Sequence, residues 1–147
     1  MSAGRRERRG NALVEFALSF GLLFAVFAGV FQFGYMYYLY NTLESAVRGG
    51  ARYASVRVYD SATSTPSAAY LTAVKNMVAY GNPSGSGQAL APGLTPEKVS
   101  VTVAMEKNLP ARISVAITNY TVSAVIRSFT LADKPRVTFP FTGRYAP

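Results

Sequence analysis

The sequence predicts an α+β fold: a long N-terminal transmembrane helix continuing as an amphipathic stem, a short second helix, and a small antiparallel sheet of about three strands. Three observations carry this expectation. From Phe16 to Leu43 no residue is charged, and a helix over that run is about 40 Å long, more than the ~30 Å of a bilayer core. Beyond the run, apolar residues keep helical spacing to about Ser55. From Val99 onward they alternate with polar or small residues, the period of strands with one buried face.

The first element is a basic leader. Arg5, Arg6, Arg8 and Arg9 stand ahead of the apolar run. Met1 to Arg9 is too polar to build a core and is expected to be disordered or removed. Its arginines should stay on the cytoplasmic side of a membrane. The run that follows admits three uses. It is a secretory signal cut inside the run near Ala28, a plain uncleaved anchor, or a helix retained after cleavage between Gly10 and Asn11. The run continues through Phe31, Phe33 and several tyrosines, beyond a signal peptide's apolar region, and the residue spacing favours the third use.

Within the run, Ala17, Gly21, Ala25 and Gly29 recur every four residues, with Phe16, Phe20, Phe24, Phe27 and Phe31 beside them. Small residues at this spacing let helices approach closely in lipid; they are also common in spans that face lipid alone, and spacing does not choose between the two. Tyr35, Tyr37, Tyr38 and Tyr40 crowd the far end, as tyrosines do where ring meets hydrocarbon and hydroxyl meets water.

Past the tyrosines, Leu43, Val47, Ala51 and Ala54 form one stripe, and Glu44, Arg48 and Arg52 line another at i, i+4 spacing. Gly49-Gly50 weakens the helix and marks a bend or a close-packing point. Asp60 to Thr65 reads as a polar loop. Thr65-Pro66 reads as an N-cap with proline at the first helical position of a helix over about 66 to 80. Tyr70, Val74 and Met77 supply its inner face, and Gly81 and Asn82-Pro83 end it. Asn82 to Glu97 is a long connector. Three strands follow, carried by Val99, Val101, Val103 and Met105, by Ile113, Val115 and Ile117, and by Val137, Phe139 and Phe141. Lys107 to Pro110 is short enough for a hairpin, and Pro140 places its strand at an edge or bulge. Tyr120 to Asp133 fits either a helix or irregular structure. The expected organisation is a leader over 1–10, membrane helix and stem over 11–55, and a small extracytoplasmic domain over 56–147.

Composition narrows the function classes. The chain has 147 residues, a formal charge of +8, no cysteine, no histidine and no tryptophan. Disulfides, thiolate metal sites and nucleophile–base pairs built on His or Cys are excluded. The seven carboxylates are scattered, so neither an enzyme nor a cofactor or metal is expected. No basic helix interleaves with aromatics outside the apolar run, so no nucleic-acid partner is expected.

A basic leader ending in Gly10, four uncharged residues, then Glu15 and a long apolar helix resembles the prepilin signature of the type IV filament superfamily. In that superfamily a membrane peptidase cuts after the glycine, and Glu15 is fifth counting from Asn11. Asn11 stands where classical pilins commonly have phenylalanine. Gly10 to Phe16, with Arg48-Gly49-Gly50-Ala51-Arg52-Tyr53-Ala54, resembles the TadE-like pseudopilins of the tight-adherence (Tad or Flp) pilus, and the resemblance covers residues 10 to 55. It implies a type IV pilin-like minor pilin of the bacterial cytoplasmic membrane, with its N-terminus cytoplasmic and its domain outside. The chain would be processed by a prepilin peptidase and work with membrane lipid, the major pilin, other pseudopilins and the assembly platform in a pilus for surface adhesion. It also implies that Glu15 pairs with the N-terminal amine of a neighbouring subunit. The other reading of Glu15 is a carboxylate that snorkels to the headgroups. The alternative function is an uncleaved single-pass anchor carrying a small extracytoplasmic binding domain.

Overall fold

The structure is a computed structural model that describes the backbone of residues 3–123 and 128–147 and the side chains of 11–123 and 128–147. Helix α1 runs from Ala3 to Val56, so the helix starts eight residues ahead of Asn11 and the leader continues it, as alanine, arginine and glutamate are good helix formers. Helix α2, Ala68–Tyr80, follows a loop. A 3-10 turn, Pro96–Lys98, leads into β1, Val99–Glu106, and β2, Leu109–Ile117. Then come β3, Tyr120–Val122, β4, Phe129–Leu131, and β5, Arg136–Pro140.

The second half of α1 is the spine of the core. Leu43, Val47, Ala51 and Ala54 are all fully buried, as their spacing predicts. Opposite them, the sheet has the order β1-β2-β5, antiparallel throughout. Its register aligns Val101, Val115 and Val137 in one row and Val103, Ile113 and Phe139 in the next. Same-face rows of this kind give a sheet one apolar side, and the helix covers it. The other side carries Thr102, Ser114 and Thr138, the last two hydrogen-bonded at 2.7 Å. β5 is an edge strand in the three-stranded sheet, where Pro140 costs no ladder bond. Lys107 and Asn108 join β1 to β2, both at positive φ, the geometry of a tight hairpin turn.

Several details differ from the sequence reading. The α2 cap is Ser67, whose hydroxyl accepts from the Tyr70 N–H at 3.1 Å. Pro66 precedes the cap and is buried, so the cap lies two residues beyond Thr65. The inner face of α2 is Tyr70, Ala73, Val74, Val78 and Ala79, with Met77 at its margin. The stretch from Tyr120 holds a separate two-stranded ribbon, β3 with β4; Val125 and Ile126 lie outside the described residues. The 82–97 connector also contributes to the core, through buried Ala91 and Leu94.

Gly50 fixes how closely α2 can lie on α1. A Cβ there would stand 2.1 Å from Cγ2 of Val78, whereas one at Gly49 would meet nothing within 4 Å. Of the two readings of the glycine pair, close packing applies, at Gly50 alone. Gly81 ends α2 in the left-handed conformation at φ 71°, which glycine adopts without steric cost.

The far end of α1 is closed from outside the helix. Tyr70 donates its hydroxyl to the Ala54 carbonyl at 2.6 Å, and the Thr142 N–H donates to the Ser55 carbonyl at 2.9 Å. Both are terminal carbonyls lacking partners within the helix. Tyr59 then bridges Tyr145 in parallel fashion, and its ring packs against those of Tyr70, Phe141 and Tyr145 at 5.4, 6.1 and 6.4 Å.

Candidate membrane and assembly site

The candidate site is the first half of α1. Residues 11–27 are exposed on every side. Gln32 is the first buried position, at 7 %, between Phe31 at 61 % and Phe33 at 74 %. The uncovered helix from Asn11 to Phe31 is about 30 Å long, the thickness of a bilayer core. The apolar run exceeds a bilayer because its last third already packs one face, through Gln32, Leu39 and Leu43, against the domain. Asn11–Val56 is one helix long and apolar enough to cross a membrane.

Glu15 lies exposed in the first turns of that helix. Ion pairs among the described residues join Arg48 to Glu44 at 2.7 Å, Arg112 to Glu106 at 3.8 Å, and Arg136 to Asp133, and Glu15 takes part in none of them. The chain has no basic residue between Glu15 and Arg48, so a positive partner for the carboxylate must come from the N-terminal side or from another molecule. Gly10, and the side chains of Arg5, Arg6, Arg8 and Arg9, lie outside the residues whose side chains are described.

Ala17, Gly21 and Ala25 are exposed and Gly29 half-buried. Nothing lies within 4 Å of a Cβ built on Gly21 or Gly29. By helical spacing the ladder runs on through Gln32, Met36, Leu39 and Leu43, so the face of small residues in the free half becomes the domain-facing side of the stem. The phenylalanines form the neighbouring stripe, with Phe16, Phe20 and Phe24 stacked at 5.9 and 6.2 Å. Tyr37 and Tyr38 are 71 % and 66 % exposed, and Tyr35 and Tyr40 about half as much.

The stem carries the Glu44–Arg48 pair on its outer face, together with exposed Arg52 and Gly49. Two open clefts flank that face. One, of about 470 Å³, lies against α2 beside Tyr38, Ser45 and Gly49, and the other, of about 580 Å³, against β5 beside Arg48, Arg52 and Phe139. Sequence reasoning did not find them, because they arise where the helix surface meets distant elements. Among the described residues no three His, Cys, Asp or Glu side chains converge as metal ligands do.

Residues 10–52 match the family model described as TadE-like protein. The match covers the free helix and most of the stem and stops short of the sheet. No curated protein and no solved structure matches the chain. The N-terminal segment is thus similar to TadE-like proteins, and it lies in a helix long and apolar enough to cross a membrane.

Proposed function

We propose that this chain, TadE-like from residue 10 to 52, is a minor pilin or pseudopilin that takes part in assembling a Tad-type pilus for surface adhesion. A prepilin peptidase cuts it between Gly10 and Asn11. It waits in the cytoplasmic membrane with its N-terminus inside and its α+β domain outside, then enters or primes the filament with the major pilin, another pseudopilin and the assembly platform. It is a structural protein, not an enzyme.

The observation that carries this reading is Glu15, a carboxylate at the head of an apolar helix with no ion-pair partner among the described residues. A carboxylate within the hydrocarbon costs about 2.5–3.5 kcal/mol at the centre and less at the edge. Cleavage after Gly10 would place a new cationic amine on Asn11 at that same edge. When the helix leaves lipid for a bundle, Glu15 is buried and needs a cation. The Asn11 amine of a neighbouring subunit supplies one and fixes the axial register between subunits.

The experiment has two arms. N-terminal sequencing of membrane-derived protein should read from Asn11, with four arginines and one glutamate removed. A start at Met1 would favour the uncleaved anchor, and a start at Gly29 a secretory signal. Glu15→Val should be inserted and cut but fail to support pilus assembly. Normal assembly by that variant would overturn the role of Glu15.

A further inference from the structure

The position of the domain along α1 is fixed by contacts at both ends. At the far end, Thr142 bonds Ser55, and Phe141, beside it, donates its N–H to Ala111 near the start of β2. At the near end, Tyr120, three residues past the end of β2, is buried in the same cluster as Leu39 and Leu43 of the helix, and burial, with a smaller influence of Tyr35, raises its hydroxyl pKa. Twenty helical residues and the length of β2 both measure about 30 Å, so β2 runs alongside the helix back toward the free half. Gln32, one turn nearer the N-terminus than Tyr35, is covered. Between it and the arginines of the leader only about 30 Å of helix, Asn11 to Phe31, is left to cross the hydrocarbon, one bilayer core.

No gap therefore separates the domain from the lipid. What stands at this end is the ribbon β3–β4 with the ends of β1 and β5. Lys98 donates to the Gly93 carbonyl at 2.7 Å and lies 5.3 Å over the Tyr120 ring. Tyr120 donates to the Pro92 carbonyl at 2.6 Å. Lys134 is exposed, and Arg136 is paired with Asp133. Phe129 is 44 % exposed on the ribbon, and Glu97 is an exposed acid beside Lys98. Aromatic rings and lysine ammoniums together suit the headgroup layer, where rings meet the hydrocarbon edge and ammoniums meet phosphates.

We propose that this end of the domain is a foot on the bilayer that α1 spans, with Phe129 at the hydrocarbon edge and Lys98 and Lys134 against lipid phosphates. This rests on the membrane-spanning reading of α1. The foot holds the domain upright before assembly, and leaving the membrane means releasing it as well as the helix.

The chain has no tryptophan, so a single one reports its own surroundings. The full chain carrying Phe129→Trp is reconstituted at high lipid-to-protein ratio in phosphatidylcholine–phosphatidylglycerol vesicles with acyl chains brominated at shallow or deep positions. Blue-shifted emission, quenched more by shallow than by deep bromines, is the expected result. Phe24→Trp, in the free helix, is quenched most by deep bromines, and Leu109→Trp, beside the distal hairpin, by neither. Thr130→Trp, exposed on the same ribbon, repeats the measurement should the Phe129 variant misfold, and Lys134→Glu should weaken the quenching. An unquenched ribbon with a quenched Phe24→Trp overturns the foot and leaves the span standing. A ribbon reporter that is blue-shifted but unquenched has met protein, a second copy included, and also overturns it. If Phe24→Trp is unquenched too, the membrane reading falls with it.

Discussion

Tyr70 does more than fill the core. Its hydroxyl holds the Ala54 carbonyl, and burial, with Tyr59 close by, raises its pKa well above the ordinary tyrosine value. Tyr70→Phe removes the buried hydrogen bond and should cost about 1–3 kcal/mol of unfolding free energy, read from denaturant titration. The raised pKa also fixes a pH dependence. Above about pH 10 the unfolded chain releases the tyrosine proton while the folded chain keeps it, so stability falls as pH rises. Melting temperature should be insensitive to this group at neutral pH, drop above pH 10, and drop less in Tyr70→Phe; Tyr59 and Tyr120, also raised by burial, keep part of the effect. The two adjacent glycines should answer a methyl group with opposite signs. Gly50→Ala drives a Cβ into Val78, whose branched side chain has little rotamer freedom on a helix, and about 1–3 kcal/mol of overpacking outweighs the gain in helix propensity. Gly49→Ala meets open space and should stabilise by about 0.5–1 kcal/mol. The sequence marked the pair as a bend or packing point, but which member packs depends on α2, far along the chain, and is not legible locally.

At the scale of elements, legibility followed periodicity. Leu43, Val47, Ala51 and Ala54 were readable because a helix buries one face, and the strand positions because a sheet does so at period two. The ribbon was not, because Val122, Val125, Ile126 and Phe129 have a helical i, i+3, i+4, i+7 spacing, while its two strands, three residues each, are too short to show alternation. The α2 cap was misplaced because Thr65-Pro66 has the right chemistry, while Ser67 has the bond to Tyr70 and also donates to Asp60 at 2.7 Å. The small-residue ladder was readable as a pattern, but its occupant was not, since one chain leaves Gly21 open. If the ladder seats another helix, Gly21→Leu or Ala25→Leu should insert normally yet lose crosslinking to pilus partners. Unchanged crosslinking in both variants would mean that the ladder faces lipid.

At the scale of the whole molecule, the proposed topology rests on the distribution of charge. Four arginines precede the span and no basic residue follows until Arg48. A reporter fused after Pro147 should therefore be active only outside the cytoplasm, and cytoplasmic activity alone would reverse the topology. The clasp of Thr142 on Ser55 has a further consequence, for the order of folding. The two residues are 87 apart in sequence, so β5 and the segment after it reach their places only by closing a loop across the whole domain. Long-range closure must meet its entropic cost before the contacts reward it. Until Phe141, Thr142 and Tyr145 have emerged, the Ser55 carbonyl and the ring of Tyr59 lack their final partners. An exported chain would stay half-finished until its closing segment crossed, and truncation ahead of Phe141 should leave a protease-sensitive stem rather than a smaller stable domain.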